Sequence, residues 1–141
     1  MNLRIRMTRT TALVLVAGLG LCAAPAFAGD KFATGLTLDS KRSATADKVS
    51  GAVKSKAQAC ESRRKVKLLH RQVNQGAKWT VKAKLRTDSA GRWSFTPEVN
   101  NSGDRFATAG DYHVRVDEVT VGTGAGTITC KEKFSSSLFI G

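Results

Sequence analysis

Apolar and polar residues alternate along much of the chain, with little of the three- and four-residue spacing of an amphipathic helix. The alternation is clearest over 48–54, 65–71, 78–86 and 112–117, and each of these runs is typical of a β-strand with one buried face. Leu69 interrupts the second run, which predicts that this strand ends or bulges there. In the third run one phase is apolar and is predicted to face the core: Trp79, Val81, Ala83 and Leu85.

Sequences typical of tight turns separate the runs. They are NQGA at 74–77, TDSAGRW at 87–93, NNSGD at 100–104 and GTGAG at 122–126. The second of these predicts a tight hairpin, because it combines short polar side chains with a glycine. About seven short strands at this spacing indicate an all-β sandwich. A small closed barrel of the OB type is the alternative.

Residues 1–28 have the parts of a secretory signal peptide of bacterial type. Arg4, Arg6 and Arg9 give a positive start, and 12–24 is an uncharged, mainly apolar run, shorter than the about 20 residues that span a bilayer. Small residues in AFA, at 26–28, predict cleavage after Ala28. Residues 29–141 are then one secreted or periplasmic domain without a transmembrane segment. A retained membrane anchor is the alternative.

Removal of residues 1–28 would change the number of cysteines from three to two. Cys22 is lost, and Cys60 and Cys130 remain as a pair. An even pair in an oxidising compartment predicts a disulfide between them. A catalytic or metal-binding pair is the alternative, but the chain has no CxxC motif and only two histidines, His70 and His113. We therefore predict no metal site and no cofactor.

Residue types used in catalysis occur without the spacing that catalysis needs. The tail FSSSLF, at 134–139, contains no G-x-S-x-G elbow. Asp117 and Glu118 are adjacent, so in a strand they point to opposite faces and cannot act as one carboxylate pair. The sequence therefore predicts that the protein is not an enzyme, with a small secreted hydrolase kept as an alternative.

The order of these features resembles a known group of domains. VSGAVKS leads to Cys60, then to the basic run RRKVKLL, and TDSAGRWSF, AGDYHVRV and CKEKFSSS follow. This arrangement, over about 47–139, resembles the immunoglobulin-like, prealbumin-like β-sandwiches of secreted bacterial proteins, including those similar to carboxypeptidase regulatory domains. The resemblance implies an extracytoplasmic binding or spacer module. Glu61 and Ser62 stand where related segments often carry glycine, so we expect a different turn there.

Positive charge is concentrated in one half of the chain. The net charge is +12 for 141 residues, and removal of the three arginines of residues 1–28 leaves +9. Residues 29–92 hold 16 Lys or Arg and 5 acids, whereas 93–141 hold 4 and 6. A basic half attracts anions in general.

The basic residues follow the strand alternation. If Val66, Leu68 and His70 point inward, Lys65, Lys67 and Arg71 point outward. A hairpin through 74–77 would bring a second basic strand beside the first, and lysines near 48–56 would add a third row on the same sheet. The candidate polyanion-binding residues are Lys54, Lys56, Lys65, Lys67, Arg71, Lys82, Lys84 and Arg86.

Two interpretations of this face stay open. Outward lysines can serve only to keep the sheet solvated and its edges unpaired. The alternative is a site for an anionic envelope polymer or lipid surface, because like charges on adjacent strands lower stability and few acids stand near them. We predict no specific nucleic-acid binding, because Trp79 and Trp93 fall on the apolar phase, where they cannot stack on bases. A protein-interaction or inhibitor domain is the other functional class.

Overall fold

A computed structural model describes residues 29–73, 78–99 and 101–141. Within them the fold is all-β, as predicted, with one turn of 3-10 helix at Gln58–Cys60. No described helix has the length and apolar character to span a bilayer. The predicted signal peptide at 1–28, the turn at 74–77 and Asn100 lie outside the described residues. The strands are β1 (Lys31–Phe32), β2 (Gly35–Leu36), β3 (Asp39–Arg42), β4 (Asp47–Lys54), β5 (Lys65–Arg71), β6 (Thr80–Arg86), β7 (Arg92–Phe95), β8 (Gly110–Val116), β9 (Val119–Thr123), β10 (Gly126–Cys130), β11 (Lys133–Phe134) and β12 (Leu138–Ile140).

Two sheets form the body of the domain. The main sheet has the order β11–β8–β5–β6, and β12 also pairs with β8. In the opposite sheet, β4 pairs with β2, β3 and β7. Val49 and Ser50 pair with both β3 and β7, so these two strands lie on opposite edges of β4. The sheets do not close into a barrel in the described residues, which argues against the OB-type alternative.

One core lies between the two sheets. It combines inward positions of β4, β5 and β8 with Trp93 of β7, which is 4% exposed. The alternation predicted for β4, β5 and β8 is therefore confirmed: one phase is buried and the other is more exposed. The largest fully buried side chains of this core are Tyr112, Leu68, Val49, Val53, Val66, Val114 and Val116.

A smaller sheet, β1–β10–β9, is joined to the body by the predicted disulfide. Cys60 and Cys130 are bonded, with their Cα atoms 5.4 Å apart. Both are fully buried, and they form a second apolar cluster with Ile128. The disulfide thus connects the 3-10 turn before β5 to the end of the β9–β10 hairpin.

The turn at 87–93 differs from the prediction. It is tight, since Asp88 N–H donates to Arg92 O and Asp88 Oδ1 accepts from the N–H groups of Ala90 and Arg92. The strands that it joins, however, pair in different sheets: β6 with β5, and β7 with β4. The prediction of a hairpin here is wrong, because turn chemistry fixes only the reversal of the chain and core packing decides where each strand pairs.

Gly51 allows β4 to approach its neighbours closely. A Cβ atom on Gly51 would overlap Thr37 O and lie 2.7 Å from Trp93 Cζ2. We therefore expect Gly51→Ala to lower the free energy of unfolding by about 1–3 kcal/mol, the usual cost of overpacking. Urea unfolding measures it. Gly35→Ala is the matched control in the same sheet, because its Cβ would meet Lys54 Cβ at an ordinary 3.6 Å. Equal losses in the two variants would contradict this account.

The disulfide closes a long loop, with a sequence separation of 70. The chain-entropy model assigns such a loop about 4 kcal/mol of stabilisation through the unfolded state. We expect Cys60→Ala/Cys130→Ala to lower the free energy of unfolding by about 2–5 kcal/mol. Wild-type protein unfolded with and without reductant gives an independent measurement. A double variant as stable as the oxidised wild type would contradict the expectation.

Candidate functional site

The outward side of the main sheet carries most of the predicted site residues and is called here the outer face. Its positions alternate with buried residues of β5 and β8, so their direction follows from the strand geometry. In the described residues the outer face comprises Lys65, Lys67, Leu69, Arg71, Trp79, Val81, Lys84, Arg86, Asp111, His113, Arg115, Phe134 and Phe139.

One end of the outer face, the basic half, consists of Lys65, Lys67, Lys84, Arg86 and Arg115. Lys65 lies directly opposite Arg86, and Lys67 lies directly opposite Lys84. Lys67 is also the partner of Arg115 on the other side. Like charges placed directly opposite each other lower sheet stability. Among the described residues, no carboxylate forms an ion pair with Lys65, Lys84 or Arg86.

Asp117 is the carboxylate that faces this cluster. Lys67 Nζ donates to Asp117 Oδ2, and Arg115 Nε lies 2.8 Å from Asp117 Oδ1. The hydrogen bond from Lys67 is the main reason why the pKa of Asp117 lies below its usual value, and the positive charges of Lys67 and Arg115 add to it. Arg115 also lies 3.5 Å from Glu132. Asp117 therefore engages Lys67 and Arg115, whereas Lys65, Lys84 and Arg86 have no carboxylate partner among the described residues.

The basic half continues into a cleft of about 650 Å³ between the start of β5 and the β9–β10 hairpin. Arg63, Lys65 and Arg86 line it together with two carboxylates, Asp117 and Glu118, and with the apolar Val119 and Val121. Arg63 has a φ of 54°, a left-handed conformation that few residues other than glycine adopt. In the turn between Cys60 and β5, Arg63 thus has a backbone conformation that glycine would adopt without strain. Arg86 donates to Arg63 O, which holds the two arginines near each other.

Arg64, although it belongs to the same basic run, has a structural role. Its side chain is buried at 4% exposure and donates to Cys60 O and Asp117 O. Burial lowers its pKa, and the nearby charge of Asp117 opposes that shift. Arg64 lies on the same inward phase as Val66, Leu68 and His70, so its burial agrees with the alternation of the strand.

Several candidate cations lie elsewhere. Lys54 is on the outward side of β4, in the opposite sheet, and its Nζ lies 3.7 Å from Glu61. Lys56 follows β4 and is exposed. The expectation that lysines near 48–56 add a third row to the same sheet is therefore wrong, because β4 pairs within the other sheet. Arg71 is on the outer face but forms an ion pair with Asp111 at 2.6 Å.

A β-bulge removes Lys82 from the basic row. In the β5–β6 register, Leu68 pairs with Ala83 and Leu69 pairs with Val81, which leaves Lys82 without a partner. Its Nζ lies 3.5 Å from Thr108 Oγ1, in the segment before β8. The predicted irregularity at Leu69 is confirmed. The prediction that Lys82 joins Lys84 on the same row is wrong, because the extra residue breaks the alternation between them.

The same bulge reverses the direction of Trp79 and Val81. Val81 lies opposite the outward Leu69 and is 49% exposed. Trp79 stacks on the outward His113, with ring centroids 4.0 Å apart and an interplanar angle of 3°. The prediction that Trp79 packs in the core is wrong, whereas Trp93 is buried there as predicted.

The other end of the outer face, the aromatic half, comprises Trp79, His113, Phe134 and Phe139. His113 lies 5.8 Å from Phe134 between ring centroids. Arg71 Cζ lies 4.9 Å from the Trp79 ring centroid, and Arg115 Cζ lies 5.1 Å from that of Phe134. Burial, and then the charge of Arg71, lower the pKa of His113, so its ring is neutral near pH 7. The alternation of the sequence did not predict that these aromatic rings lie together. The sequence indicated only that the strand is irregular at Leu69, where the bulge lies.

Comparison with known proteins leaves the site to be interpreted from its geometry, since no family model, curated protein or solved structure matches the chain. Among the residues that the structure describes, no three His, Cys, Asp or Glu side chains come together as a metal site would require. The chemistry that the outer face offers is therefore ionic contact at one end and ring contact at the other.

We expect the stability that Asp117 contributes to depend on pH. Its pKa is lowered in the folded protein, so its contribution is complete above the unfolded value of about 3.9 and is lost as pH falls through the folded value. Wild type should exceed Asp117→Asn in stability at pH 6, with the difference closing towards pH 2. Urea unfolding at several pH values measures it. In a Lys67→Gln background, Asp117→Asn should lower the free energy of unfolding by less than it does in the wild type. If the loss of stability caused by Asp117→Asn instead grew as the pH fell, the lowered pKa of Asp117 would be contradicted.

Proposed function

We propose that the protein is a noncatalytic binding module that holds a polyanion on the basic half of the outer face. The observation that supports this most is the pairing of Lys65 with Arg86 and of Lys67 with Lys84, two consecutive like-charge pairs on one face. A polymer with regularly spaced negative groups would relieve both repulsions at once. Solvation alone does not call for such an arrangement.

The opposite sheet shows what a solvated face of this protein looks like. It also has a like-charge pair, Lys41 opposite Lys48. Asp39 and Asp88, however, line the same shallow trough as Lys48 and Arg92. The two signs are mixed there, as on an ordinary soluble surface. The basic half differs from this trough in having two consecutive like-charge pairs, in which Lys65, Lys84 and Arg86 have no carboxylate partner among the described residues.

The setting that we propose is extracytoplasmic. Residues 1–28 have the composition of a signal peptide, and a disulfide persists mainly in oxidising compartments. Anionic envelope polymers and lipid surfaces are abundant there. The resemblance to immunoglobulin-like bacterial modules supports the same proposal, because modules of that kind serve as binding or spacer domains.

We expect Lys65→Glu/Arg86→Glu to weaken binding of inorganic polyphosphate at least tenfold at low salt, because two attractive charges become repulsive. Lys41→Glu/Lys48→Glu is the matched control, with the same change in net charge at another directly opposed pair. Binding measured by titration calorimetry should also weaken steeply between about 50 and 200 mM salt, since counterions are released.

Two results would contradict the proposal. One is an equal loss of affinity in both double variants, because net charge and not the basic half would then govern binding. The other is an absence of binding at low salt by the folded mature domain. Circular dichroism spectra of both variants show whether they keep the β-fold.

A further inference from the structure

The basic half lies beside a row of rings that a simple polyanion site does not need. Trp79, His113 and Phe134 follow one another across the main sheet, with centroid separations of 4.0 and 5.8 Å. Phe134 is 46% exposed, and Phe139 on the same face is 60% exposed. Exposed aromatic rings on a charged surface of a small domain point to a ligand that stacks.

The ring row and the cations are held on one rigid surface. β8 carries His113 and Arg115 two residues apart, so both side chains point outward from the same strand. β11 places Phe134 opposite Arg115, and β12 places Phe139 opposite Asp111. A chain lying on the basic half therefore comes within reach of the rings.

The face offers little to a neutral sugar ring. None of its strand-paired outward positions holds Asn, Gln, Ser or Thr, and exposed hydroxyls occur nearby at Ser136 and Ser137, between β11 and β12. Asp111 and Asp117 are already engaged by Arg71, Lys67 and Arg115. Sugar hydroxyl groups would thus find donors but few free acceptors among the paired side chains, whereas flat bases need ring surface and phosphates need cations.

We propose that the outer face binds single-stranded nucleic acid without sequence specificity, with phosphates on the basic half and bases on the aromatic half. This inference rests on the proposed polyanion-binding function and narrows its ligand. A single strand is required because a duplex stacks its bases on each other and hides their faces from the protein. Sequence tolerance follows, because every base has a face that can stack. From the sequence we predicted no specific nucleic-acid binding, because Trp79 was expected to point inward. The bulge reverses that direction, and binding without sequence specificity is compatible with that prediction.

The test compares two anionic polymers on the same variants, a fluorescently labelled oligothymidylate of about 15 nucleotides and inorganic polyphosphate of similar charge. Phe134→Ala/Phe139→Ala should weaken oligothymidylate binding at least tenfold, within the range for loss of one stacked base. Polyphosphate binding should change less than twofold. Phe106→Ala is the control, because Phe106 is also an exposed ring, at 40%, with an arginine, Arg42, 5.7 Å from its centroid.

A second readout follows Trp79 directly. Trp79 already stacks on His113 and has Arg71 Cζ 4.9 Å from its ring centroid, so a base that joins or displaces these neighbours should quench its emission. Trp93 is buried at 4% exposure and should not respond. Oligothymidylate is expected to quench the emission of Trp79 and polyphosphate is not. In Trp79→Leu the quenching should disappear. This measurement remains decisive if the phenylalanine variant does not fold.

The outcomes separate this inference from the proposed function. If polyphosphate binds through Lys65 and Arg86 while oligothymidylate binds no tighter and quenches nothing, the nucleic-acid inference fails and the polyanion function stands. If an acidic polysaccharide such as polyguluronate outcompetes oligothymidylate in a ring-dependent way, the face is a sugar site and the inference is overturned. If neither polymer binds, both proposals fail.

Discussion

The structure depends most on the pairing of β5 with strands on both of its edges. β6 lies along one edge and β8 along the other, so the outward Lys67 and Leu69 have paired neighbours on both sides. The same strand contributes Val66 and Leu68 to the core. Burial of these two side chains fixes which side of the strand faces the core. Lys65 and Lys67, at the alternate positions, therefore face away from the core. The basic half is thus a consequence of how the core is packed.

The bulge between Leu68 and Leu69 divides the outer face into two chemical regions. On one side of it the alternation places Lys84 opposite Lys67. On the other side it places Val81 opposite Leu69 and directs Trp79 towards His113. One unpaired residue therefore converts a uniformly basic strand into a strand that is basic at one end and aromatic at the other. Bulges commonly re-aim side chains next to functional sites in this way.

Buried polar contacts beneath the outer face hold the end of the basic half at Lys65 in place. Arg64 connects the carbonyl of Cys60 to that of Asp117, and Thr87 Oγ1 accepts from Arg64 N–H. The disulfide holds Cys60 to the small sheet. These contacts consequently join three parts of the fold at the mouth of the cleft: the start of β5, the end of β8 and the β9–β10 hairpin. A ligand there would meet a surface that needs little rearrangement.

The sequence by itself determined the elements that depend on local pattern. The period of two in β4, β5 and β8 predicted their buried faces, and an even pair of cysteines predicted the disulfide, because both signals are carried by residues near in sequence or by simple counting. The turn predicted at 74–77 also made neighbours of the two basic strands, and β5 and β6 do pair. Only the tertiary structure decided the other pairings. It separated Lys54 from Lys65, placed β6 and β7 in different sheets and brought Trp79 to the outer face. The physical reason is that the packing of the whole core settles in which sheet a strand pairs and how a bulge redirects the residues beyond it. No single stretch of sequence determines that packing.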